Sequence, residues 1–439
     1  MISPLPHVLY VAWGFPPART GGVYRALATA NALAHQGFQV TVLTADEECW
    51  QKYTGTDDSL LGQVDARIKI LRVPFDWQVL NPNLYEYSWW RVKFPRLWNK
   101  VHQRKTRRIF PENSYGVWRP LIEKAALELH LKNPISAVIC TANPNVSFTP
   151  AVLLHEQYGV PYFVDHRDAW SLNVFDGKTL FSPESKEGKW EKRIFDGAEQ
   201  IWFVNEPIAN WHRQKYPNVA DKIHVVTNGW DPAFITPALP TSGVHTPLTF
   251  GYLGTISGKV PIKEFVEAWK ISKEDYPSMS ESVAHIHGYL GFYGVANAGL
   301  TNTLSRASEF GVSYKGPVNK TQIASTYDEW DVCLLILGTG RYVTSGKVFE
   351  YMATGKPIVS VHDPDNAAKD VLKGYPLWFS VETLDPIEIA KVLDKAAQAT
   401  LQVTQEQRQK CIEHANRFRR DVVLNLAMLQ VSKSVNRHE

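Results

Sequence analysis

His7-Val8-Leu9-Tyr10-Val11-Ala12-Trp13 is an unbroken apolar run that stops at Gly14-Phe15-Pro16-Pro17. A run this short, bounded by glycine and proline, predicts a strand buried on both faces, as in parallel sheets. Beyond Gly21-Gly22, residues 23–36 carry Ala26, Leu27, Ala30 and Leu33 at helical spacing, and Gly37 stops the helix. Gln39-Val40-Thr41-Val42-Leu43-Thr44 follows as a β-branched strand. The three pieces form a βαβ unit, whose right-handed crossover makes its strands neighbours in a parallel sheet.

The rhythm resumes with a helix over 121–131, the strand Ala137-Val138-Ile139-Cys140, a helix over 150–158 and the strand Pro161-Tyr162-Phe163-Val164-Asp165. Gln200-Ile201-Trp202-Phe203-Val204 and Ile223-His224-Val225-Val226 complete this half. The Pro-, Thr- and Ser-rich stretch 231–246 predicts a linker. A second series opens with Leu248-Thr249-Phe250-Gly251-Tyr252-Leu253-Gly254 and continues through strands at 283–288, 312–316, 332–337 and 357–361. At 439 residues the chain exceeds one hydrophobic core. The expectation is α/β, with two facing Rossmann-like doubly wound domains. They span 1–235, with an insertion at about 49–120, and 236–415; a helix over 416–439 is expected to cross back to the first domain. Ligands of such folds lie at the C-terminal ends of the strands, here in the cleft between the domains.

Cys49, Cys140, Cys333 and Cys411 form no CxxC pair and no Cys/His cluster at metal-ligand spacing, so buried, reduced thiols are expected. A net charge of +3 is too small to argue for nucleic acid, and no recognition motif accompanies it. No apolar run reaches the roughly 18–20 residues of a membrane span. The N-terminus shows no basic segment followed by a long apolar stretch, so a cytoplasmic protein is expected.

Within 49–120 the rhythm weakens. Trp89, Trp90, Trp98 and Trp118 interleave with Arg91, Lys93, Arg96, Lys100, Arg104, Lys105, Arg107 and Arg108, and no acidic residue falls within 91–108. Two readings stand side by side. One is a solvated helix whose aromatic stripe packs on the domain. The other is a basic, aromatic face on anionic lipid headgroups, which puts the protein on the cytoplasmic face of a membrane.

Ser345-Gly346-Lys347-Val348-Phe349-Glu350-Tyr351-Met352-Ala353-Thr354-Gly355-Lys356-Pro357-Ile358-Val359 carries the most specific chemistry. A loop delivers Lys347 and Glu350 at the start of a short helix, where free N–H groups and the dipole attract phosphate. A carboxylate there suits the two hydroxyls of a ribose. The string resembles the donor-site signature of retaining GT-B glycosyltransferases of family 4, also called group 1, in a branch with the core S-K-x-x-E-Y-x-A-x-G-K/R-P. The resemblance implies that Glu350 binds the nucleotide ribose and that Lys347 lies near the diphosphate. It places Ser345, Gly346, Val348 and Pro317 in the same donor site. Many family members carry a second glutamate eight positions before the first. Here Tyr342 stands there, so the donor sugar is not inherited from the paired-glutamate branch.

Gly251-Tyr252-Leu253-Gly254-Thr255-Ile256-Ser257-Gly258-Lys259 is a strand and a glycine-rich turn whose N–H groups can approach a pyrophosphate. Relatives place an arginine at the position of Thr255, so Lys259 is expected to act with Lys347 or Arg341. In the first domain, Gly14 to Pro17, Gly21, Gly22 and Arg25 resemble the family's N-terminal glycine loop, which faces the cleft, and the resemblance implies that Gly21 and Gly22 contact the donor. Phe110-Pro111-Glu112, Trp118 and Val164-Asp165-His166-Arg167-Asp168-Ala169-Trp170 resemble the "RDPW" bacterial branch. His166 and Asp168, at a strand end, are expected to be catalytic with Lys259 and Lys347; Arg167 and Asp168 read equally well as a structural ion pair. Asn228-Gly229 before Trp230 matches the family's hinge turn.

The implied reaction transfers a sugar from a nucleoside diphosphate sugar to a hydroxyl acceptor, with retention. The family leads us to expect a lipid-linked or polysaccharide precursor as acceptor. Asp363-Pro364-Asp365, the near match to a metal-binding acidic cluster, reads as a turn, so no metal or other cofactor is expected. The glycines at 14, 21 and 22 lack the spacing of a dinucleotide fingerprint. A non-catalytic sugar- or nucleotide-binding scaffold, and an epimerase or phosphorylase of like architecture, are the alternatives.

Overall fold

The computed structural model describes residues 5–237, 244–289, 294–319, 322–338 and 340–438; part of the expected linker, 238–243, lies outside them. The chain divides into two compact units. The first runs to Asn173, resumes over Lys178–Thr227 and takes in the chain from Leu424; the second comprises Val174–Gly177 and Asn228–Val423.

The first unit is built on seven parallel strands in the order β3-β2-β1-β4-β5-β6-β7. These are β1 (His7–Ala12), β2 (Gln39–Ala45), β3 (Lys69–Val73), β4 (Ala137–Thr141), β5 (Tyr162–His166), β6 (Gln200–Phe203) and β7 (Ile223–Val225). Every residue of β1 is buried, as a continuous apolar run requires of a central strand covered on both faces. β3 falls inside 49–120, where no strand is expected from the sequence. It is an edge strand with only Val73 buried, and so lacks the apolar run that marks interior strands. The insertion's rings also serve the core. Trp50, Phe75, Trp77 and Tyr115 surround Trp13 with centroids 4.7, 5.9, 5.7 and 5.5 Å away, and Trp118 is fully buried. All four cysteines are buried and free.

His166 is not a cleft group. The last residue of β5, it is 1% exposed, with the rings of Phe148, Phe195 and Phe203 at 4.7, 5.5 and 5.3 Å. β5 is covered on both faces, so even its terminal side chain points into core, and the expected catalytic role is corrected. Burial pushes the His166 imidazole down to about 4, and His212, stacked on Phe203 at 4.2 Å, down to about 3.

The second unit holds six parallel strands in the order β10-β9-β8-β11-β12-β13. They are β8 (Thr249–Leu253), β9 (Val283–His287), β10 (Val312–Gly316), β11 (Val332–Ile336), β12 (Ile358–Val361) and β13 (Trp378–Ser380). The last is a second short edge strand unmarked in the sequence. Along β11, Val332, Leu334 and Ile336 enter one apolar layer with Ile262, Phe265 and Trp269 of the helix Ile262–Asp275. Cys333 and Leu335 enter the other layer, with Val348, Phe349 and Met352 of the helix Gly346–Ala353. This is the period of two that a doubly covered strand imposes. The helices after β8 and β11 therefore lie on opposite faces, and the strand order reverses between those two strands.

The C-terminal stretch is two helices, Gln405–Asn416 and Arg420–His438. The end of the first and the start of the second hold residues 230 and 231: Trp230 Nε1 donates to the Ala415 carbonyl at 2.8 Å, and Arg420 pairs with Asp231 at 2.9 Å. Among the described residues, no helix is long and apolar enough to cross a membrane.

A histidine whose folded pKa is depressed contributes stability above its unfolded value of about 6.5, and that stability is lost as pH falls toward the folded value. His166→Phe is expected to retain the melting temperature near neutral pH and to flatten its fall between pH 6.5 and about 4. Melting curves against pH test this; an unchanged profile would show that the imidazole is not sealed from water.

Candidate functional site

At the C-terminal ends of β8 and β11 lies a cavity of about 370 Å³. Its wall includes Gly254, Thr255 and Lys259 from the turn after β8, Gly338 beyond β11, and Ser345 and Lys347 at the start of the helix Gly346–Ala353. A crevice at the point where strand order reverses is where open α/β sheets take their ligands. Ser345 caps the helix, its Oγ accepting the Lys347 N–H at 3.2 Å. The start of the helix, the positive end of its dipole, therefore stands at the cavity.

Glu350 sits one turn behind Lys347. Its Oε2 receives Lys347 Nζ at 2.8 Å and the Tyr327 hydroxyl at 2.5 Å, and Lys347 Nζ also reaches that hydroxyl at 3.2 Å. Burial, and next the Glu350 carboxylate, hold the Tyr327 phenol well above its usual range, so it stays a donor. The carboxylate is thus fixed from two sides before any ligand arrives.

Lys356, in the same sequence string, has a different task. It is 6% exposed, and its ammonium donates to the carbonyls of Tyr327 at 2.5 Å, Asp328 at 3.3 Å and Trp330. The first two carbonyls end the helix Ile323–Asp328, where unpaired acceptors and the negative dipole end favour a cation. Burial lowers the lysine's pKa. Lys356 therefore fixes Tyr327, and through it Glu350.

Lys259, Lys347, Ser345, Gly254 and Thr255 come together in one wall, as the sequence leads one to expect. Gly346 is exposed at the helix start, and Val348 is fully buried in the core beneath it. Pro317 follows the edge strand β10, exposed and outside the cavity wall; Arg341 is also exposed and outside it. Nothing in the sequence marks Tyr327, Asn366 or Phe175. The last two line the cavity; Phe175 lies 84 residues before Lys259, and no local pattern marks either.

In the first unit Arg25, expected to face the cleft, is 6% exposed. Its guanidinium grips both oxygens of Asp165 at 2.9 and 2.7 Å and donates to the carbonyls of Val226 and Thr227 at 3.0 and 2.9 Å. This is a buried ion pair. Arg167 donates to the carbonyls of Ala142 and Asn143 and lies against Gly22, 2.0 Å from where a Cβ would stand. Gly21 is exposed before the helix Val23–His35. Asp168 is exposed and accepts Asn143 Nδ2 at 3.2 Å. Glu112 accepts the N–H groups of Asn145 and Val146 at 2.9 and 2.8 Å, and burial raises its pKa to about 7.

The sequence profile of the family described as Glycosyl transferase 4-like domain matches residues 20–229. No curated protein matches the chain. Among solved structures, a glycosyltransferase from Rickettsia africae ESF-5 is similar at 13% identity and a TM-score of 0.65, covering 99% of this chain and 100% of that one. Sucrose-phosphate synthase from Thermosynechococcus elongatus is similar at 13% identity and 0.62, covering 99% and 100%. Anabaena Alr3699/HepE, solved in complex with UDP, is similar at 13% identity and 0.61, covering 98% and 100%. Residues 20–229 therefore resemble a glycosyl transferase 4-like domain, and the chain carries the two parallel-sheet α/β domains of the GT-B fold.

Proposed function

We propose that the protein is a glycosyltransferase that moves a sugar from a nucleoside diphosphate sugar to a hydroxyl acceptor, with retention of configuration. The proposed acceptor is a glycolipid or polysaccharide precursor. One observation carries the reading: two lysines and a capped helix N-terminus meet in one cavity at the β8/β11 switch point, with a prepositioned carboxylate one turn behind. As the bond from the anomeric carbon to the phosphate oxygen breaks, negative charge grows on the diphosphate. Lys259, Lys347 and the positive end of the helix dipole supply fixed positive charge for it. Because these groups do the electrostatic work, the proposed reaction invokes no metal or other cofactor. Glu350 is assigned to the ribose hydroxyls. Asp168, exposed at the end of β5, is the group we assign to the acceptor.

A neighbour of the same fold is complexed with UDP, which makes UDP-sugars the first probes. Calorimetry with UDP-, GDP-, dTDP- and ADP-sugars should find one series that binds. Glu350→Ala should weaken it about tenfold or more, the scale of losing hydrogen bonds to a charged group. Unchanged affinity in that variant would remove Glu350 from the site.

The same reading seats the protein on an anionic membrane surface. Leu84, Tyr85, Trp89, Val92, Phe94 and Leu97 are 70, 100, 72, 64, 46 and 52% exposed. Exposed Lys93, Arg96, Lys100, Arg104, Lys105 and Arg108 accompany them. Apolar side chains beside clustered cations suit the boundary between headgroups and acyl chains. Two cations of the stretch are otherwise engaged. Arg91 is buried against the rings of Tyr87 and Trp98, at 3.5 and 4.3 Å, and Arg107 pairs with Glu187. Trp89→Ser with Arg104, Lys105 and Arg108 changed to Glu is expected to abolish co-sedimentation with vesicles rich in phosphatidylserine. Equal sedimentation of variant and wild type would remove the membrane assignment.

A further inference from the structure

Val174–Gly177 belong to the second unit, although Asn173 and Lys178 on either side belong to the first. The base of this short strap is closed by a bridge between Leu172 and Thr179 and by the Asn173 N–H donating to the Lys178 carbonyl at 2.8 Å. Its seat is tight. Gly177, at φ +73, lies where a Cβ would stand 3.2 Å from the Tyr342 ring. Gly340, at φ +147, lies where a Cβ would meet the Val174 carbonyl oxygen at 3.1 Å and Phe175 Cα at 3.5 Å. Both glycines occupy backbone conformations that favour glycine, and both leave room that the strap and its seat fill. Asn366 Nδ2 holds the Gly340 carbonyl at 3.2 Å from the other side.

So seated, Phe175 lines the cavity, and its ring face lies 3.8 Å from Lys259 Nζ. A ring face attracts an ammonium without neutralising it. A carboxylate in the same place would compete with phosphate for the lysine. A free lysine side chain also loses rotamer freedom when it closes on a ligand, and one already held loses less.

We infer that Phe175 is a positioning residue for the donor's diphosphate: its ring holds the Lys259 ammonium at the cavity, and Tyr342 and Gly340 seat the strap that carries it. The inference rests on the donor reading above and gives Tyr342, where relatives carry a second glutamate, a role of its own.

The test is calorimetric titration of the full-length protein with UDP, GDP and ADP, each beside its monophosphate. Phe175→Leu keeps the apolar bulk and removes the ring face. It should weaken the bound diphosphate about two- to fivefold, the scale of an exposed cation–π contact, and leave the monophosphate unchanged; Phe175→Trp should restore the wild-type ratio. An equal loss for both nucleotides, or none for either, overturns the inference while the donor reading stands. A wild-type protein that binds none of these nucleotides overturns the donor reading and the inference with it.

Discussion

The second unit is organised by one topological constraint. β8 and β11 are hydrogen-bonded neighbours, yet the chain leaves them for opposite faces of the sheet. No connection can then cover the space beyond their C-terminal ends, and a crevice opens there. The period-two burial of β11 enforces the arrangement, because Val332, Leu334 and Ile336 need one helical layer and Cys333 and Leu335 need the other. The turn through Gly254 and the helix start at Ser345 then both face the crevice, and with them come the two lysines.

Placing cations in a crevice is costly unless something orders them. Here the ordering runs backward through a chain of contacts. Lys347 is held by Glu350, Glu350 by Tyr327, and the end of the helix bearing Tyr327 by the buried ammonium of Lys356. A buried charge is costly unless it is partnered: Glu350 is paired with Lys347, and Lys356 is held by three carbonyls. The result is preorganisation: a carboxylate and an ammonium already oriented, whose positions need little rearrangement when negative charge develops nearby. A buried ion pair of the first unit is used differently. Arg25 and Asp165 tie β5 to the chain beyond β7, which is a structural use of charge.

The sequence was most legible where burial is complete. β1 and β11 are covered on both faces, so their apolar runs stand out, and the β–α rhythm follows from them. Lys69-Ile70-Leu71-Arg72-Val73 is hard to read because an edge strand mixes charged and apolar residues. The string from Ser345 to Pro357 was legible as a site because its chemistry is local, packed into one cap and one turn of helix. What failed was long-range. His166 looked like a cleft group because it is polar and ends a strand, but the phenylalanines that enclose it come from positions 148, 195 and 203. Arg25 looked available because its partner is 140 residues away. Phe175, 84 residues before Lys259, gives no signal for the same reason.

Hydrogen–deuterium exchange of the full chain, with and without a saturating nucleoside diphosphate sugar, tests the central claim that the β8/β11 crevice is the donor site. The account predicts new protection at the amides of 254–259 and 345–350, which border the cavity and the helix start. Protection confined to the first unit, or none anywhere while the ligand is bound, would contradict it.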